Sequence, residues 1–179
     1  MSDLKSTIEK LDRAQQGFLA SADSVDPADW NIPPDLTCWS AAQLVAHLCQ
    51  VERGVLAYAD RVIRNTALPV TFFKRFHLPI ALVESRIIKR KSPISLESEP
   101  LGSKETMLAA LRGVRERTLA FLDETNGRDL NGYCWRHPFL GSLNFYAWFT
   151  FVAAHQIRHT KQMVEISRNL PKRVDNSQK

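Results

Sequence analysis

The chain has 179 residues, 44% hydrophobic and 24% charged, which is the balance of a soluble globular domain with one core and too short for two. Net charge is +5, but the positive residues are spread along the chain. The densest run, Lys89, Arg90 and Lys91, comes with no recognition-helix or aromatic single-strand motif, so nucleic acid is not an expected partner.

Seven glycines are few for a strand-rich fold and point to long helices. The opening MSDLKSTIEK is polar and has no apolar core of a signal peptide. From about Asp3 to Ala22, Leu4, Ile8, Leu11, Phe18 and Leu19 recur at helical spacing and predict a first helix. Pro27, Pro33 and Pro34 then break the pattern, and Trp30 and Trp39 are expected to pin this loop to the core. Ser40 and Gln43 read as a capping box that opens the second helix, with an apolar stripe of Leu44, Leu48, Val51, Val55, Tyr58 and Val62. His47 falls within that stripe, whereas Glu52 turns away from it by helical phase.

Residues 65–102 have apolar content without clean periodicity, interrupted at Pro69 and Pro79; His77 lies there and is assigned no role. A third helix is predicted from about Lys104 to Thr125, capped by Ser103 and stopped by Asn126 and Gly127. The turn-rich stretch GRDLNGYCWRHPFLG leads to a fourth helix, with Ser142 as its expected N-cap, that runs to about Arg168 before Pro171. Its apolar stretch FYAWFTFVAA is about half of the ~20 residues a membrane span needs, so a buried helix is expected and a membrane is not. The predicted fold is all-α: a single domain over residues 1–170, a four-helix bundle in up-down-down-up order with a long crossover between helices 2 and 3, followed by a disordered tail at 171–179.

The chemistry lies in AAHQIRHTKQM. His155 and His159, one turn apart on a face shared with Trp148, Phe151, Val152, Gln162 and Ile166, point into the bundle. With His47 they offer three imidazoles to one divalent ion, suiting Zn²⁺, Ni²⁺ or Fe²⁺ and leaving positions for water or substrate. The alternative is three unrelated core histidines, each bonded to a hydroxyl or carbonyl. No Asp or Glu stands beside them in phase, which weakens a zinc-protease mechanism. His137, before Pro138, could support the site or act as an acid, or be merely solvated. Gln162 could orient a bound water or a ligand imidazole, or pack at the bundle edge. Cys38, Cys49 and Cys134 are scattered and form no C-x-x-C pair, which fits a reducing cytoplasm and incidental roles.

WSAAQLVAHL, residues 39–48, resembles the first motif of the DinB-like superfamily of helical metalloproteins, with a histidine eight residues after the tryptophan. HPFLGSLNFYAWFTFVAAHQIRHTKQMVEI, residues 137–166, resembles the second. The resemblance implies a four-helix bundle, often a homodimer, with His47, His155 and His159 as metal ligands. It also favours, among activities on a small-molecule substrate, S-transfer with a low-molecular-weight thiol. A metal-dependent hydrolase, or a non-enzymatic bundle with a structural or sensory metal site, are the other expectations. Tyr146, Phe149, Ala153 and Ile157 make the far side of helix 4 too apolar for solvent, so it is expected to pack on another element or a second subunit.

Overall fold

A computed structural model describes residues 4–64, 80, 83 and 101–170. Most of the crossover, with Pro69, Pro79 and His77, and the 171–179 tail lie outside the described residues. The elements are helix α1 (Leu4–Asp23), a 3₁₀ turn (Pro27–Asp29), α2 (Ala41–Ile63), α3 (Lys104–Glu124), strands β1 (Cys134–His137) and β2 (Gly141–Asn144), and α4 (Phe145–Asn169). No helix among the described residues is long and apolar enough to cross a membrane.

Helices α2, α3 and α4 each begin where a side chain satisfies a free main-chain amide. Ser40 accepts from the Gln43 amide and Gln43 Oε1 from the Ser40 amide, closing the expected capping box. Ser103 caps α3 through the Thr106 amide. For α4 the sequence reading is corrected. Its cap is Asn144, whose Oδ1 accepts from the Ala147 amide at 2.8 Å, while Ser142 lies in β2 opposite Arg136.

The all-α expectation is corrected at the same place. Cys134–His137 and Gly141–Asn144 pair antiparallel, with Trp135 opposite Leu143 and His137 opposite Gly141. The tip is built for a sharp reversal: Pro138 gives up no donor, and Gly141 has a φ of +89°, a left-handed value that side chains disfavour. The amides of Phe139 and Leu140 both donate to His137 Nδ1 at 3.1 Å. Four-residue strands are too short to show a period of two, which is why they read as a loop.

The core has two clusters. One gathers Phe18, Ala22, Trp30, Leu44, Leu48, Leu108, Leu111, Met163 and Ile166; the other joins Leu11, Ala14, Val55, Ala59 and Leu122 to the start of α4. Trp30 is fully buried and its indole N–H meets Met107 Sδ at 3.5 Å, so it does pin the loop as expected. Tyr146, Phe149 and Ala153 are buried in the second cluster with Leu11 and Ala14 of α1, and Ile157 packs against it. The apolar far side of the last helix is therefore covered within the chain.

Between the clusters lies a polar cross-tie that the sequence reading missed. Arg115 of α3 is buried and donates to both oxygens of Glu52 on α2, at 2.7 and 2.9 Å. It donates further to Gln156 Oε1 on α4 at 2.9 Å and to the Leu11 carbonyl on α1. Glu52 is thus turned from the His47 stripe, as expected, but inward to a cation rather than outward to solvent. Replacing Arg115 by Met leaves a buried carboxylate without its counter-ion, which costs roughly 3–5 kcal/mol; adding Glu52→Leu removes that charge and recovers much of the loss. Urea unfolding of the single and double variants checks this, and a single variant within 1 kcal/mol of wild type would contradict it.

Candidate metal centre

Two helices bring the three histidines together. The capping box sets where α2 begins and hence the phase of His47, while His155 and His159 succeed one another on one face of α4. His155 Nε2 lies 3.3 Å from His47 Nε2 and 3.1 Å from His159 Nε2. One ring nitrogen from each lies within 4.8 Å of the others, and this is the only such group of His, Cys, Asp or Glu found among the described residues.

Two observations test whether this set fits an ion. First, a single Nε2 carries either one proton or one lone pair, so with all three rings neutral His155 has to divide that one site between both close contacts in a weaker three-centre hydrogen bond. A cation among three lone pairs removes the need for that division. Second, imidazole nitrogens each ~2.0–2.1 Å from one ion stand roughly 2.9 Å apart at a right angle and roughly 3.3–3.4 Å apart at the tetrahedral angle. The two close separations, 3.1 and 3.3 Å, fall between these values. The residues present therefore fit a divalent ion.

The surroundings keep the ligand set neutral. Burial pulls the His47 imidazole down to about 4. Burial, with the nearby positive potential of His159, His47, Arg158 and His137, holds His155 well below the ordinary imidazole value. Neutral imidazoles are the form that ligates. His47 Nδ1 is buried and has no hydrogen-bond partner among the described residues. Trp39 forms one wall, its ring 5.0 Å from that of His47 and stacked at 6.3 Å on that of His159; Phe151 forms another, 5.5 Å from His155.

The remaining candidates separate clearly. Gln162 reaches the site, with Oε1 2.9 Å from His159 Nδ1. His137 is buried against Trp148 and Phe151, and its Nδ1 holds the hairpin tip; burial pulls it also to about 4, so it stays an acceptor. Phe151 lies between it and His155 in a chain of ring contacts. Glu52 is committed to Arg115 and is not in the cluster. Cys49 is buried and its thiol is pushed up to about 11, an inert form. Trp39 as a wall of the site went unread in the sequence, although its place next to the Ser40 cap put it at the mouth of α2.

The model of the DinB superfamily matches residues 10–163. A protein of Bacillus subtilis (strain 168), YuaE, described as uncharacterized, is 25% identical over 141 residues, covering 78% of this chain and 84% of its own. The chain belongs to the DinB superfamily.

The depressed histidines set a pH dependence in metal-free protein. Their folded values lie below the ordinary 6.5, so the unfolded chain takes up protons first. The stability is fully present above about pH 6.5 and is lost as pH falls towards about 4. Between pH 7 and 5 the expected loss is about 2 kcal/mol from His47 and, allowing for solvent screening, roughly 1 kcal/mol from His137. Urea midpoints across this range should fall, and fall less in His137→Asn, whose side-chain oxygen can still accept at the hairpin tip. A flat profile in wild type would contradict the burial argument.

Proposed function

We propose that this member of the DinB superfamily holds one divalent ion, Zn²⁺, Ni²⁺ or Fe²⁺, on His47, His155 and His159, and uses it in transfer of a low-molecular-weight thiol to a small electrophile. The observation that carries the reading is that two helices bring one ring nitrogen of each of the three histidines within 4.8 Å of the others, with His155 Nε2 3.3 Å from His47 Nε2 and 3.1 Å from His159 Nε2. The family match supports it. The close contacts from α2 and α4 also support an up-down-down-up bundle. The end of α1 meets the end of α4 through Ser167 Oγ and the Ser24 carbonyl, and Lys104 at the start of α3 reaches the Asp23 and Val25 carbonyls.

A bound divalent ion supplies a positive charge that stabilises a thiolate or lowers the pKa of water. The chain's own part is to keep that charge whole, since its three ligands are neutral and no carboxylate joins them among the described residues. Trp39 and Phe151 limit the approach of water. Thiol transfer is favoured over hydrolysis because a hydrolase of the zinc-protease type needs a local carboxylate base, and Glu52 is held by Arg115. A thiol bound at such an ion would be acidic enough to give its proton to bulk water or buffer, so the chain would need no such base.

The test is elemental analysis of protein purified without a His-tag, beside His155→Ala, followed by thiol-consumption assays with a small electrophile. Near-stoichiometric metal in wild type, lost in the variant, together with thiol consumption that returns on adding metal, is the expected result. Metal in neither protein, even after addition of Zn²⁺ and Ni²⁺, would make the histidines core residues. Metal without thiol consumption would leave the site and remove the transferase reading.

A further inference from the structure

The three ligand candidates are not supported alike. His159 Nδ1 lies 2.9 Å from Gln162 Oε1, one turn further along α4, whereas His47 Nδ1 is buried without a partner among the described residues. A neutral imidazole carries one ring proton, and the group opposite one nitrogen decides which nitrogen keeps it. An amide oxygen opposite Nδ1 draws the proton there. Nε2 is then left with its lone pair, and Nε2 is the atom that faces His155 at 3.1 Å.

We propose that Gln162 is a positioning residue for the metal centre: its side-chain oxygen fixes His159 as the Nδ1–H tautomer and sets the ring plane, so that Nε2 is ready to ligate. This rests on the metal reading above. Gln162 does not touch the ion; it acts through His159. The direction of the bond has a chemical signature. If Gln162 accepts, a carboxylate in its place accepts more strongly and makes His159 a better ligand, as carboxylate partners do for metal-bound histidines. If instead the amide nitrogen donates to Nδ1, or the residue only packs, a carboxylate brings no such gain.

The experiment compares wild type, Gln162→Leu and Gln162→Glu by two readouts. Proton–nitrogen correlation spectra of histidine-labelled, metal-free protein give the His159 tautomer, and chelator competition gives Zn²⁺ affinity; the urea midpoint controls for folding. The proton should sit on Nδ1 in wild type and Gln162→Glu, and that preference should be lost in Gln162→Leu. Zn²⁺ affinity should fall about 10–100-fold in Gln162→Leu and be equalled or exceeded in Gln162→Glu. A proton on Nε2 in wild type, a leucine variant that binds Zn²⁺ as tightly as wild type, or a glutamate variant as weak as the leucine one overturns the proposal. A wild type with the Nδ1 proton that takes up no Zn²⁺ overturns the metal reading itself and any role of Gln162 towards an ion, and the spectra tell that failure apart from the first.

Discussion

One guanidinium ties the four helices together. Arg115 on α3 reaches Glu52 on α2, Gln156 on α4 and a main-chain carbonyl of α1. Apolar packing alone is tolerant of small slides and rotations, because one methyl group resembles another. A planar donor fork with fixed directions is not, and once buried it must find all its partners or bear the cost of a bare charge. Glu52 lies on the same helix as His47, and Gln156 is the neighbour of His155 in sequence, so the cross-tie sets the relation of the two helices that carry the histidines. The convergence of three imidazoles depends on that relation.

The parts of this arrangement visible in the sequence are those with local causes. The first three helices, the Ser40–Gln43 box, the Ser103 cap and the inward phase of all three histidines followed from spacing and side-chain chemistry. The hairpin did not, because its strands are shorter than any periodicity and its tip is specified by a histidine side chain bonding to two main-chain amides. The motif H-P-x-x-G is therefore a turn device, with Gly141 supplying the left-handed backbone and His137 the acceptor. Arg115 was illegible for another reason. On one sequence, a charged residue within an amphipathic helix reads as solvated, and only a carboxylate 63 positions away reveals it as core.

The site itself combines bare charge tolerance with shelter. Three neutral donors would leave a cation its full charge; Glu52, the one buried carboxylate among the described residues, is drawn off by Arg115; and aromatic rings stand on two sides. Low-dielectric walls strengthen whatever electrostatic work a cation does there. Burial that would penalise a protonated imidazole serves the same end, since it keeps lone pairs available at neutral pH.

The spacing of the donors along the chain also has a kinetic meaning. His155 and His159 are four residues apart on one helix, while His47 is 108 residues from His155. A single helical segment can offer a cation two nitrogens as soon as it coils; the third arrives only when a distant segment has docked, after the slow search that long-range contacts impose. The complete donor set therefore exists only in the finished bundle.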